Sequence, residues 1–276
     1  MRLINRLFIT LSTLLFCAMV SAKPVERIIA LSPHSVELLF AIGAGDKIVA
    51  TVDYADYPPE AQKIVRIGNY NGIQIEQVVA LQPDLIVAWK SGNKQADLSK
   101  IESLGFQMVY THPQTISQIS DELITLGKLT GNQAQAKQAA AALDAQYQSI
   151  KQQYAQQRPV AVFYQLWHDP LRTVGPNSWI ESLIRDCQGV NIFNDTDSEY
   201  PQVSIETVIT KKPEVIIIPH HSGNIGAKTD IWQRWHEIPA VANKQVYTLN
   251  GDLLHRFGPR AVDGLSKLCK AIGQAR

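Results

Sequence analysis

The 276 residues carry 26 Lys and Arg against 25 Asp and Glu, a formal net charge of +1. Such a balance, with no basic run, excludes a nucleic-acid partner recognised by charge. A chain of this length has room for two lobes of ordinary domain size, each with its own core.

The chain opens MRLINRLFITLSTLLFCAMVSAKP. Arg2 and Arg6 precede an apolar run from Leu7 to Val20, and Val20, Ser21 and Ala22 form a small-residue cleavage pattern before Lys23. This is the layout of a secretory signal peptide, expected over residues 1–22. The run falls short of the roughly 20 apolar residues that a membrane-spanning helix needs. Cys17 follows the bulky Leu15 and Phe16, where a lipid-anchored cysteine has small residues. The mature chain is expected to be soluble and exported. Cleavage removes two arginines and no acid, so 24 basic residues face 25 acidic ones and the charge becomes −1. Cys187 and Cys269 remain. In an oxidising compartment such a pair is a disulfide candidate, with two buried free thiols as the alternative.

The mature chain starts with an apolar strand, RIIALS, that runs into Ser32 and Pro33. HSVELLFAIG has helical spacing, with Val36, Leu39 and Phe40 on one face and Gly43 as a stop. KIVATVD is a second strand, and YADYPPEAQK is a turn-rich loop. Ile75 to Leu81 reads as a short helix broken by Pro83, Leu85 to Ala88 as a strand ending at Trp89, ADLSKIESLG as a helix and FQMVYT as a strand. From Asn132 the sequence is packed with Ala, Gln and Lys and lacks Gly and Pro. These strong helix formers predict one helix of about 24 residues, read as a strut between two lobes. After Pro159 come the strand VAVFYQL, the helix NSWIESLIRDC capped by Asn177 or Ser178, the strand QVYTLN and a closing helix GPRAVDGLSKLCKAIGQ. Strands alternating with helices imply parallel βαβ units.

One phrase occurs twice. IQIEQVVALQPDLIVAW at 73–89 returns 130 positions later as VSIETVITKKPEVIIIP at 203–219. Ile75, Glu76, Val78, Pro83 and Ile86 recur as Ile205, Glu206, Val208, Pro213 and Ile216. Duplication of one α/β lobe is the simplest account. The expected fold class is α/β, with a lobe over 23–131, a connecting helix over 132–157 and a second lobe over 158–276.

Catalytic signatures are missing: there is no G-x-S-x-G elbow, H-E-x-x-H pair or Walker loop. GAGDKI at 43–48 follows a helix and lacks the last glycine of a dinucleotide loop. His220 and His221 are neighbours on an extended segment and point to opposite faces, so one zinc ion would rarely take both. No metal site and no resident cofactor is expected. The aromatics say more. Trp89, Tyr54, Tyr57, Tyr70, Tyr200 and Trp167 fall in strand-end loops, where open α/β sheets bind ligands. Singly, each reads as packing at a lobe edge; as a set from both halves they suggest an apolar cleft. Asp252 and Arg256 follow the last strand, where a surface salt bridge is the plainer reading.

IIALSPHSVELLFAIG, DYADYPPEAQKI, VVALQPDLIVAW and PQVSIETVI together resemble the periplasmic cobalamin-binding proteins of ABC importers, through essentially the whole mature chain. The resemblance implies two Rossmann-like lobes with parallel sheets joined by one long helix. It implies a non-enzymatic, periplasmic receptor, monomeric on its own, that grips vitamin B12 between its lobes as a transported ligand. It carries ligand contact onto Tyr54, Trp89 and the segment Asp252, Leu253, Leu254, His255 and Arg256. Tyr70 and Tyr200 stand where the family has tryptophans, and Arg172 where it has phenylalanine. A siderophore or haem receptor is the alternative within the class. An exported metallohydrolase using His168, His220 and His221 is the alternative outside it.

Glu76 and Glu206 lie in the first turns of the two repeated helices. An acid there complements the helix dipole. Two acids at matched places on duplicated lobes also suit a homodimeric permease, which offers one surface twice about a twofold axis. The resemblance implies the same, with both glutamates docking onto arginines of the importer.

Overall fold

The structure is a computed structural model that describes residues 24–221 and 229–276; the leader read at 1–22 lies outside the described residues. The first half contains β1 (Ile28–Ala30), α1 (Pro33–Ala41), β2 (Ile48–Thr51), β3 (Val65–Arg66), β4 (Gly68–Asn69), β5 (Gly72–Ile73), α2 (Ile75–Leu81), β6 (Leu85–Trp89), α3 (Gln95–Ser103), β7 (Met108–Thr111) and α4 (Ile116–Thr130). The long helix α5 (Gln133–Tyr154) follows. The second half contains β8 (Val160–Tyr164), β9 (Trp167–His168), β10 (Leu171–Arg172), α6 (Trp179–Asp186), β11 (Gly189–Asn191), α7 (Ile205–Lys211), β12 (Val215–His220), α8 (Pro239–Ala242), β13 (Val246–Asn250), α9 (Gly251–Leu254) and α10 (Ala261–Gly273).

Each half is built on a parallel sheet. The first has the order β3-β2-β1-β6-β7 and the second β11-β8-β12-β13. Both central strands are continuous apolar runs because both faces of each sheet are covered. Residues alternate between the faces: Ile28, Ala30, Leu85 and Val87 join one apolar cluster, while Ile29, Ile86 and Ala88 join another. In the second sheet Val160, Val162, Val215 and Ile217 face inward, and Phe163, Ile216 and Ile218 face out.

The inner clusters are one. The apolar set that holds Ile28 and Val87 also holds Leu123, Ala140, Leu143, Val162, Ile217 and Leu268. The halves therefore do not have wholly separate cores: α4, α5 and α10 fill the space between the sheets with shared apolar side chains. α5 packs on α1 and α4 on one side and on α10 on the other. The α4–α5 contact depends on a small residue. A Cβ on Gly127 would lie 2.2 Å from the Ala136 Cβ.

The repeat is visible in detail. Both short helices end on a residue with left-handed backbone, Gln82 at φ 45° and Lys212 at φ 47°. Asp84 Oδ2 accepts from the Glu26 and Arg27 backbone N–H groups, and Glu214 Oε2 accepts from Ala161 N–H. Each acid thus ties the start of its strand to the neighbouring strand, which explains why the residue after the proline is acidic in both copies of the phrase, Asp84 in one and Glu214 in the other. The N-cap of α6 is Ser178, whose side chain accepts from Glu181 N–H, while Asn177 lies before it at φ 62°. Cys187 and Cys269 form a disulfide that joins the end of α6 to α10.

Candidate functional site

In a parallel sheet all strands deliver their following residues to one edge. Ser32 and His34 follow β1, Tyr54 follows β2, Trp89 ends β6, Trp167 follows β8, His221 follows β12 and Asp252 follows β13. The edges of the two sheets are joined through Arg256. Its Nη1 donates to Asp56 Oδ1 of the first half at 2.6 Å and lies 3.5 Å from Glu37 Oε1, while Nη2 lies 3.3 Å from Asp252 Oδ1. Burial works against its charge, but the hydrogen bond to Asp56 and the Asp252, Asp56 and Glu37 carboxylates outweigh it, and its pKa is raised. The surface pair read from the sequence is thus part of a bridge between halves. Arg260 completes it, donating through Nε and Nη2 to Glu37 at 2.9 and 2.6 Å. The Arg260 guanidinium also lies 3.7 Å from the centre of the Tyr57 ring. Beside it is a cavity of about 320 Å³ lined by Glu37, Phe40, Tyr57, Pro58, Pro259 and Arg260.

A second bridge is aromatic. Phe257 lies 5.6 Å from Trp89, 5.5 Å from His34 and 5.0 Å from Trp179, ring centre to ring centre. Trp89 is consequently half-buried. Its ring also covers Gly92, where a Cβ would come within 1.9 Å of it. His34 is fully enclosed, and burial lowers its pKa to about 3, so the ring that shares a 2.8 Å hydrogen bond with Thr111 Oγ1 is neutral.

The remaining expected residues divide into two groups. Tyr54, Tyr70 and Tyr200 are exposed by 68%, 68% and 42%, far more than packing at a lobe edge requires. Tyr54 has left-handed backbone, φ 64°, and Tyr70 sits at the turn of the β4–β5 hairpin. Leu253 and Leu254 behave otherwise. They lie on the single turn of α9, capped by Asn250, and are 8% and 1% exposed. Their side chains belong to the core, so the segment offers Asp252, His255 and Arg256. His255 shares a 2.8 Å hydrogen bond with Tyr164 Oη. Burial and then the nearby His221 lower its pKa to about 4. His221 Nδ1 lies 2.9 Å from Asp252 Oδ1. Arg172 is exposed and donates to the Tyr200 carbonyl at 3.2 Å. Glu76 and Glu206 are exposed in the first turns of α2 and α7. The Glu206 carboxyl is held below its ordinary pKa by its own backbone N–H and the Ser204 hydroxyl. Among the described residues no three His, Cys, Asp or Glu converge as a metal site.

Sequence reasoning missed Glu37, Phe257, Trp179 and Arg260. Each lies in a helix or a turn where its type reads as ordinary; the approach of the other half gives Glu37, Phe257 and Arg260 their roles, and Trp179 backs Phe257 from within the second half.

The family described as periplasmic binding protein matches residues 28–253. The vitamin B12-binding protein of Vibrio cholerae serotype O1 is 40% identical over 247 residues, covering 89% of this chain and 88% of its own. That of Photorhabdus laumondii is 37% identical over 268 residues, covering 96% and 95%. The crystal structure of the periplasmic vitamin B12 binding protein of Vibrio cholerae superposes with a TM-score of 0.84 at 39% identity, covering 91% of this chain and 98% of that one. A periplasmic heme-binding protein from Roseiflexus sp. RS-1 gives 0.79 at 22% identity, over 91% and 99%, and shares the fold. A parallel sheet in each half, a site at their facing edges, and relatives named for binding without catalysis agree with the matched family: the chain belongs to the periplasmic binding proteins.

Proposed function

We propose that the protein captures cobalamin between its two halves in the periplasm and delivers it to an ABC importer. The observation that carries the reading is the joined edge of the two sheets. There, exposed aromatic rings follow strand ends of both halves, Tyr54 after β2 and Trp167 after β8, and Arg256 joins the halves through Asp56 and Asp252. A corrin is a broad, partly apolar ring with amide arms, and it needs flat apolar walls with scattered hydrogen-bond partners. Relatives at 35–40% identity named for vitamin B12 binding support the same ligand. Tyr54, Tyr70, Trp89, Tyr200, Asp252, His255 and Arg256 are its contacts in this reading. A leader over 1–22 exports the chain, which acts as a monomer. Glu76 and Glu206 dock it on a homodimeric permease.

The test is calorimetry of purified residues 23–276 with cyanocobalamin and, separately, with haemin. One cobalamin per chain and no haem is the expected result. Haem binding without cobalamin binding, or neither, overturns the proposal. For docking, Glu76→Ala with Glu206→Ala should keep cobalamin affinity and lose binding to the reconstituted importer. Normal docking by that double variant removes the two glutamates from the account.

A further inference from the structure

Trp167 is 56% exposed, the most exposed tryptophan among the described residues. Its ring is not waiting for a polar partner. The indole N–H donates to the Asp169 carbonyl at 3.0 Å, inside the same hairpin. Indole nitrogen is a donor only, so this one bond satisfies it and leaves a hydrocarbon face turned outward.

The hairpin that carries the ring is fixed on both sides. Arg172 pairs with Trp167 and Leu171 with His168 across it, and Leu166 N–H donates to the Arg172 carbonyl at 2.9 Å. Its second strand is stitched to the segment that carries Tyr200: Thr173 N–H donates to the Pro201 carbonyl at 3.1 Å, Val203 N–H to the Leu171 carbonyl at 3.0 Å, and Arg172 Nη1 to the Tyr200 carbonyl. Trp167 and Tyr200 therefore ride on one rigid rim, just past the C-terminal end of β8. The first half has a matching arrangement. Tyr70 projects from the β4–β5 hairpin, which is fixed by Asn69 Nδ2 donating to Asp53 at 3.1 Å and Ile73 N–H donating to Asp97 at 2.9 Å. A large apolar ring held rigid in water forgoes burial that a mobile side chain could reach, and a flat ligand recovers it.

We infer that Trp167 is a further ligand contact, one for the corrin ring, which lies against the exposed face of the indole. This rests on the cobalamin reading of the site. In this account Trp167 supplies the apolar wall of the second half that Arg172, one place across the hairpin, cannot.

Calorimetry of wild type, Trp167→Ala and Trp167→Phe with cyanocobalamin and with dicyanocobinamide tests it. Trp167→Ala should weaken both ligands by about ten- to thirtyfold, a typical cost for a central aromatic contact, and Trp167→Phe by about threefold or less. The losses should match because the two ligands share the corrin and differ in the nucleotide. No cobalamin binding by wild type defeats the reading of the site as a whole. Wild-type binding with unchanged affinity in Trp167→Ala overturns only this inference, as does a loss confined to cyanocobalamin or to importer docking. A second measurement needs no variant. Oxidation of the native protein by N-bromosuccinimide, mapped by mass spectrometry, should reach Trp167 in the free protein and spare it when cyanocobalamin saturates the site. Equal oxidation in both states also overturns the inference.

Discussion

Glu122 has one satisfied oxygen and one orphan. Oε1 accepts from the His112 backbone N–H at 2.7 Å, while Oε2 is buried with no hydrogen-bond partner. Burial raises its pKa to about 7, against a lesser opposing pull from that N–H group. The folded protein thus holds the proton more tightly than the unfolded chain. Stability from this site is full below the unfolded pKa and is lost as pH rises through the folded one. Glu122→Gln should stabilise by about 1–3 kcal/mol near pH 8 and by close to nothing near pH 4, read from urea unfolding at the two pH values. An equal effect at both would remove the carboxyl from the account. Glu37 is a buried carboxylate with both oxygens satisfied: its side chain is 2% exposed, and each oxygen accepts from Arg260. Glu37→Ala leaves that guanidinium beside a vacated site and should cost about 3–5 kcal/mol in the same assay. Neither residue was legible in the sequence. A glutamate in a helix reads as solvent-facing, and only its three-dimensional surroundings decide otherwise. The strand-end placement of Trp89, Tyr54 and Arg256 was legible because strand ends announce themselves by where apolar runs stop.

Among elements, α4 escaped the sequence reading although its signals were present. Thr115 caps it, accepting from Gln118 N–H, Ile116, Ile119, Leu123 and Leu126 line its buried face, and Gly131 ends it at φ 79°. Its helical pattern runs into the Ala- and Gln-rich α5 across only Gly131 and Asn132, and the composition change at Asn132 is the stronger sequence signal. The strands and helices of the repeat were legible because Pro83 and Pro213 punctuate identical patterns. The small hairpins β4–β5 and β9–β10 were not, since two-residue strands leave no periodicity to detect. The contact between α4 and α5 yields a sharp expectation. Replacing a helical Gly by Ala gains up to about 1 kcal/mol of propensity. At Gly127 the new methyl would meet Ala136 at 2.2 Å, deep inside contact distance. Overlap should win, and Gly127→Ala should destabilise by about 1–3 kcal/mol in thermal or urea unfolding. The disulfide closes a loop of 82 residues. Its loss in Cys187→Ala with Cys269→Ala should cost at most about 4 kcal/mol, and thiol titration of the denatured, unreduced mature chain should find no free cysteine.

Across the whole molecule, the inner apolar cluster runs without a break from Ile28 through α4, α5 and α10 to Ile217. A chain with two independent cores would melt in two steps. This one should unfold in a single calorimetric transition, with the van't Hoff and calorimetric enthalpies equal. The two-half architecture was legible from duplication alone. The common core was not, because nothing in a repeat says how its copies lean on each other. That lean has a kinetic meaning. The Arg256–Asp56 and Arg260–Glu37 pairs and the Phe257 stack clamp the two edges together. Were this clamped shape the one that binds, little affinity would be spent on selecting a rare conformer. The same clamp would then also slow release. On the proposed reading, an importer that takes the cargo would do mechanical work on the clamp, prising Arg256 from Asp56, and the energy for release would enter from outside the receptor.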